Sequence, residues 1–288
     1  MTTKDTDNVL RGIQEEHWKN YQQVDREWPT PPLEGTVRDA LAPAEVPNSV
    51  LAVGIGGLAR DALLYAEIPG TQVVGIDINE EAVKMASALP RKDTVSFLSG
   101  NILEPTIVDR LGAERFGAVT MVGLLTNLVT DHDAQLALDR TYQLLAPGGS
   151  VVVSDYALGE GSEYWVGRYE RDAAVLETLG YGGRNENFGT LIIRPGKLNP
   201  DDMGYVSAED QLDLHRTVNL MREGKFERMV RHRNRETFSD LLMESGFGIP
   251  VETKQKTLVT PRPGGGTTPW DFSNNMQIRA IKPIRNRK

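Results

Sequence analysis

The chain has no cysteine. Disulfides, thiolate metal sites and a cysteine nucleophile are excluded at once. Long apolar runs are also missing. No stretch approaches the ~18 apolar residues of a membrane span. The first residues, "MTTKDTDNVLRG", contain no apolar core of signal-peptide length, so a cytoplasmic location is expected, with no membrane partner. Positive charge is in deficit: 32 Lys and Arg stand against 40 Asp and Glu, a formal net charge of -8. A phosphate-binding field over the whole surface is therefore not expected, nor is a nucleic-acid partner. The basic end "KPIRNRK" reads as a solvated tail. What is present is ordinary. With 288 residues, 39% apolar and 25% charged, the chain can bury a sizeable core as one large domain or two small ones. It shows no internal repeat and no low-complexity segment.

Residues 1–9 are expected to fray, and residues 10–28 read as a helix ended by "PTPPLEG". From residue 49 strands and helices alternate: strands at 49–53, 72–76, 95–98, 118–122 and 150–154, with helices at 58–66, 80–89, 107–111 and 133–145. Such alternation implies a parallel sheet with helices on both faces. Residues 157–230 break the pattern and are too long for a plain connection. They read as an inserted cap, with helices at 163–179 and 208–222 and loops at "GYGGRNENFG" and "RPGKLNPDDMG". A helix at 236–247, closed by Gly246, then precedes two strands joined by the Pro/Gly-rich "PRPGGGTTPWDFS".

The chemistry starts at "VLAVGIGGLA", residues 50–59. Gly54 and Gly56 follow the first strand directly, and Asp77 ends the second in "GIDIN". Glycine permits positive φ and leaves no Cβ in a ligand's way. A carboxylate about twenty positions on can accept bonds from ribose hydroxyls. The pattern suits a dinucleotide, and it suits S-adenosylmethionine equally.

From here the chain resembles the class I S-adenosylmethionine-dependent methyltransferases of small-molecule type, over about residues 10–156 and 235–282. "GIGG" is similar to their first motif and "GIDIN" to their second. "VSFLSGNIL", "FGAVTMVGLLTNL" and "ETFSDLLMESGF" resemble the third strand, the fourth strand and the final helix. "YQLLAPGGSVVVSD" resembles their Pro-Gly-Gly turn and is the most specific match. "HWKNYQQVD" resembles an N-terminal helix whose aromatics close over the cofactor. The resemblance implies an α/β, Rossmann-like, doubly wound fold. Its sheet is mostly parallel and seven-stranded, with a C-terminal antiparallel hairpin and a helical cap insertion. It implies S-adenosylmethionine as co-substrate, bound by Tyr21, Gly54, Gly56, Gly57, Asp77, Ile78, Asn101, Ile102, Gly123 and Leu124. Asp77 would hold the ribose, Asn101 the adenine amino group, and Ile102 would lie on the adenine ring. The chain departs from the pattern at Ala52, where an acidic residue is usual, and at Leu58, with Gly57 beside Gly56. The cofactor's α-amino group must then find other acceptors, such as backbone carbonyls or the Gly123–Leu124 segment.

Methyl transfer from a sulfonium is an in-line displacement, so positioning and water exclusion supply most of the rate. A base is needed only where the nucleophile must lose a proton. The candidates are His132, just after the fourth strand, and Asp155 and Tyr156, after the fifth. His132 has a near-neutral intrinsic pKa and competes with a plain helix-start role. His17, His215 and His232 have no evident partners. Substrate contacts are expected from Trp18, Tyr164, Trp165, Arg168 and Trp270. Tyr164 and Arg168 stand four apart on one helix, where Arg168 can clamp a carboxylate. Solvated arginines and plain aromatic packing are the alternative. "DHD" at 131–133 is not read as a metal site.

The expected organisation is an N-terminal helical lid over 1–45 and a cofactor-binding core over 46–156. An inserted cap spans 157–232, and a closing helix and strands span 233–288. The expected function is methyl transfer to a small-molecule metabolite that can carry a carboxylate, by a monomer or homodimer. Two alternatives stay open: intramolecular displacement within the cofactor that releases methylthioadenosine, and cofactor binding without turnover.

Overall fold

A computed structural model of the chain describes residues 3–20, 33–158, 163–193, 218–219, 221–222, 228–257 and 274–284. Its centre is a seven-stranded sheet. The strands are β1 (Ser49–Val53), β2 (Gln72–Asp77), β3 (Val95–Ser99), β4 (Phe116–Val122), β5 (Leu145–Tyr156), β8 (Val251–Thr257) and β9 (Asn274–Ile281), in the order β3-β2-β1-β4-β5-β9-β8. The first five run parallel; β9 is antiparallel to both β5 and β8. The doubly wound sheet and its closing antiparallel pair agree with expectation.

The strands form where β-branched residues run together, and burial on both faces explains why they do not alternate. In β1, Val50 and Ala52 pack on one face with α2 (Glu34–Leu41) and α3 (Arg60–Tyr65). Leu51 and Val53 pack on the other face with α5 (Ile107–Leu111), α6 (Asp131–Leu144) and α9 (Arg235–Glu244). α4 (Glu80–Ala88) starts at Asn79, whose side chain accepts from the Ala82 amide at 3.0 Å. Thr130 and Asn234 cap α6 and α9 in the same way. Such caps are worth about 1 kcal/mol each.

The first helix corrects the sequence reading. α1 runs Thr3–Asn20, so residues 3–9, expected to fray, are helical, while residues 1–2 lie outside the described residues. Leu10 is buried against the inserted segment, and Arg11 Nε donates to Asp133 Oδ1 at 2.6 Å. A helix anchored by such contacts extends cheaply, because the costly nucleation is already met. Residues 21–28, expected to continue it, lie outside the described residues.

The insertion also differs. α7 (Glu163–Thr178) appears where a helix was expected. A short helix α8 (Arg184–Asn187) stands inside the expected loop "GYGGRNENFG", and an antiparallel pair, β6 (Thr190–Ile193) with β7 (Arg228–Arg231), forms where no strand was expected. Four-residue strands carry no readable period. Most of the expected helix at 208–222 lies outside the described residues. Two small clusters hold the insertion together. Val175, Leu176, Ile192 and Met229 pack with Leu10 of α1. Trp165, Tyr169, Leu191 and Val230 pack with one another.

Candidate active site

β1 ends in a turn that only glycine takes easily. Gly54 has φ +75° and Gly56 +59°, values that crowd any Cβ. A Cβ on Gly54 would also stand 3.2 Å from Leu124 Cδ1. The turn is tied to β2: the Gly54 amide donates to Ile76 O at 2.8 Å, and the Gly56 amide to Asp77 Oδ2 at 2.8 Å. Asp77 Oδ1 accepts from the Asn79 amide at 2.9 Å. Burial raises the Asp77 carboxyl above its ordinary pKa, and the Asn79, Gly56 and Ile78 amides oppose that rise. Each carboxylate oxygen keeps a second lone pair for a further donor. The turn and carboxylate therefore fit the ribose end of an adenosyl cofactor. Ile78, beside Asp77, is half-buried.

Asn101 follows β3. Its Oδ1 accepts from the Leu103 amide at 2.9 Å, and its Nδ2 donates to Glu15 Oε1 at 3.0 Å. One lone pair on Oδ1 remains for an adenine amino group. Ile102 is 4% exposed and belongs to the large core cluster. Gly123, at φ +60°, bends the chain after β4, and its carbonyl accepts from Asn127 Nδ2 at 2.6 Å.

α1 lies over these strand ends. The Trp18 carbonyl accepts from Asn79 Nδ2 at 3.2 Å, after β2. Glu15 meets Asn101 after β3, and Gln14 Nε2 donates to Asn127 O at 3.2 Å, after β4. Gln14 Nε2 also donates to Met229 O at 2.6 Å, on β7. One helix thus ties three strand ends to the insertion. Trp18 itself is half-buried, its ring 4.9 Å from that of His17 with the planes at 83°.

At the end of β5, Asp155 is buried. Its Oδ2 accepts from the Thr126 amide at 2.8 Å and its Oδ1 from the Tyr156 amide at 2.9 Å. Burial pushes its carboxyl up to about 6, against the Tyr156 and Thr126 amides and the Arg233 charge. Tyr156 stacks on the His232 ring, with centroids 5.6 Å apart and planes at 23°. His232 Nδ1 is 2.9 Å from the Tyr169 hydroxyl, and Trp165 leans on the same ring at 5.6 Å. The Arg168 guanidinium lies over Trp165 at 5.9 Å. Arg168 is 10% exposed, its Nε has no hydrogen-bond partner among the described residues, and Asp172 stands 4.0 Å away.

The structure thus brings Tyr156, Trp165 and Arg168 together and adds His232 and Tyr169. Nothing in the spacing of "RMVRHRNRE" marks His232; it arrives because β7 returns beside β5, where Ala157 bridges Arg233. His132 is exposed in the first turn of α6. Its neighbours in "DHD" are committed: Asp131 pairs with Arg231 and Arg233, and Asp133 with Arg11. Tyr21, Trp270 and the Tyr164 side chain lie outside the described residues.

The buried cluster predicts a pH signature. Burial, then the Arg168 and Arg233 charges, push His232 down to about 3. The unfolded chain binds a proton near pH 6.5 that the folded state refuses, so this group removes stability as pH falls from 6.5 toward 3. Asp155 acts in the opposite sense. Its carboxyl is raised from 3.8 to about 6, so the folded state holds a proton that the unfolded state releases, and this group favours folding as pH falls from 6 to 4. His232→Phe should flatten or invert the acid-side fall of the thermal midpoint between pH 6.5 and 5. An unchanged slope would show that His232 is solvated.

Comparison with known proteins gives this geometry its context. A methyltransferase-domain family matches residues 50–149. No curated protein matches the chain. A SAM-dependent methyltransferase from Methanosarcina mazei aligns at 18% identity with TM-score 0.57, over 82% of this chain and 93% of that one. The YcgJ protein of Bacillus subtilis aligns at 12% and 0.51, over 87% and 97%. The N-terminal domain of EvdMO1 aligns at 16% and 0.51, over 98% and 97%. These likenesses show the fold that the sheet order already describes. The methyltransferase-domain match thus spans the stretch that holds the glycine turn and Asp77 in one frame, and the fold around it is that of S-adenosylmethionine-dependent methyltransferases.

Proposed function

We propose that the chain methylates a small molecule bearing an anionic group, held between the core and the inserted cap. The observation that carries this reading is Arg168: a guanidinium nine-tenths buried, its Nε without a hydrogen bond among the described residues and 4.0 Å from Asp172, in an aromatic cluster at the end of β5. A buried cation is costly; Asp172 reaches Arg168 only at 4.0 Å, and a planar carboxylate would pair the guanidinium in a bidentate way. S-adenosylmethionine supplies the methyl group on an activated sulfonium. Asp77 and the glycine turn orient its ribose, and α1 covers the strand ends and limits access of water. Tyr156, Trp165, Tyr169 and His232 wall the acceptor side. A cover tied to three strand ends suits a small acceptor better than a polymer. The EvdMO1 domain, of the same fold, was crystallised with S-adenosylhomocysteine and D-fucose.

The lid, core and cap boundaries at 45, 156 and 232 belong to this reading, as do Tyr21, Tyr164, Trp270 and His132 as site residues. His132 would act as base only on an acceptor that reaches the start of α6.

Two measurements test the reading. S-adenosylhomocysteine should form from S-adenosylmethionine only when carboxylate metabolites are added; methylthioadenosine formed from the cofactor alone would replace methyl transfer by internal displacement. Arg168→Ala should lower kcat/KM for the acceptor by about tenfold or more, as for loss of a charge-assisted bond, and leave cofactor affinity within twofold. Full activity would remove Arg168 from the site.

A further inference from the structure

The methionine end of the cofactor carries an ammonium, and the described strand ends around Gly54 offer it few anions. Asp77 is engaged with the Gly56 and Asn79 amides on the β2 side. At position 52, inside β1, there is only alanine.

The small side chain at 52 has a consequence on α3. Ala52 pairs with Thr120 on the neighbouring strand. Tyr65 is wholly buried in the same cluster as Ala52, with its hydroxyl beside Thr120. That hydroxyl closes no good hydrogen bond among the described residues. The Tyr65 hydroxyl and the Thr120 side chain beside it are thus a polar spot inside an apolar layer.

Asp61 is four residues before Tyr65, on the same face of α3. α3 links parallel strands β1 and β2, so it runs back against them. One turn toward its start, about 5.4 Å, matches two strand residues, about 6.6 Å. If Tyr65 stands over Ala52 and Thr120, Asp61 stands level with Gly54 and Val122, beside the glycine turn. Asp61 is half-buried and has no hydrogen bond or ion pair among the described residues. Burial raises its carboxyl, and the neighbouring Arg60 charge opposes this. A carboxylate kept partly dry, without a direct partner, at the rim of a cofactor turn is placed to receive a cation.

We propose that Asp61 receives the α-ammonium of S-adenosylmethionine, with the Tyr65 hydroxyl and Thr120 forming the polar floor beneath it. The inference rests on the cofactor reading above and adds a residue to it. Position 52 needs no acid because the acceptor comes from the helix above rather than from the strand below. The same placement makes the site selective for the intact amino-acid tail.

The test is calorimetric and uses the whole chain at neutral pH. S-adenosylhomocysteine, its deaminated analogue with a hydroxyl in place of the amine, and methylthioadenosine are titrated into wild type, Asp61→Asn and Tyr65→Phe. Asp61→Asn should weaken S-adenosylhomocysteine about tenfold, or about 1.4 kcal/mol, and leave methylthioadenosine within twofold. Its unliganded thermal midpoint should hold or rise, because a partly desolvated charge is removed. Wild type alone should bind the deaminated analogue about tenfold more weakly, a difference that Asp61→Asn erases and Tyr65→Phe reduces. Equal losses for S-adenosylhomocysteine and methylthioadenosine, or no loss in either, would overturn the role of Asp61 while the cofactor reading stands. Failure of wild type to bind any of the three would overturn both. Were Asp61→Asn to fold poorly, equal wild-type affinities for the amine and hydroxyl ligands would still overturn the proposal.

Discussion

Asp77→Ala lowers the affinity for S-adenosylmethionine by about ten- to a hundredfold. Hydrogen bonds to a charged acceptor are worth ~1.5–3 kcal/mol, and each 1.4 kcal/mol is about tenfold. The carboxylate does two jobs. In the proposed reading it offers acceptors to a ribose, and in the structure it holds the glycine turn through the Gly56 amide and the start of α4 through the Asn79 amide. Alanine removes both, so the loss exceeds that of a ligand contact alone. Asp77→Asn separates the two jobs. It keeps one acceptor oxygen but turns a donor toward an amide, so it should fall between wild type and alanine. Isothermal calorimetry with S-adenosylhomocysteine reads the effect without a known acceptor. Affinity unchanged in the alanine variant would mean that the cofactor does not sit on this turn, and the family's usual site would be abandoned for this chain.

Arg233→Met destabilises the protein by about 3–5 kcal/mol, the usual cost of breaking a buried charged network by removing one partner. The Arg233 side chain is 1% exposed. Its Nε donates to Asp131 Oδ1 at 2.8 Å, Nη1 to Leu125 O at 2.6 Å, and Nη2 to Leu128 O at 2.6 Å and Thr130 O at 3.0 Å. Methionine fills much of the volume but leaves three carbonyls and the Asp155 carboxylate without their donor or counter-charge. The segment 123–130 after β4 would lose its clamp, and with it the Thr126 amide that orients Asp155. The thermal midpoint should drop by roughly 5–10 °C. Arg233→Lys should recover little, since one ammonium cannot reach four acceptors set in a fork. A midpoint within 2 °C of wild type, within the range of about ±0.5 kcal/mol for surface changes, would show that water replaces the guanidinium.

The two predictions sit at opposite ends of what the residues disclose. Asp77 is legible because it lies at a fixed offset from a glycine turn on adjacent strands; local chain geometry alone carries both to one place. Arg233 and His232 are not. They belong to a segment whose strands are four residues long, and Arg233 meets Leu125, Leu128 and Thr130 across more than a hundred positions each. Tyr169 reaches His232 across a separation that no period predicts. Trp165 and Tyr169 announce themselves as aromatics on a helix, yet only packing decides that they wall a histidine rather than face water. In "DHD" the histidine drew attention, whereas the flanking aspartates hold Arg11, Arg231 and Arg233.

Order along the chain by itself determined the parallel core, its glycine turn, Asp77 and the closing antiparallel pair. Those features follow from short-range rules: period, turn chemistry, and the handed crossover from strand to helix. Tertiary structure alone decided that α1 spans three strand ends, that the segment after β7 returns beside β5 with His232, and that Tyr65 packs in one cluster with Ala52. Each of these depends on side chains from distant segments competing for the same buried space. That competition is settled by volume, charge and hydrogen-bond satisfaction in three dimensions, and a linear pattern does not encode it.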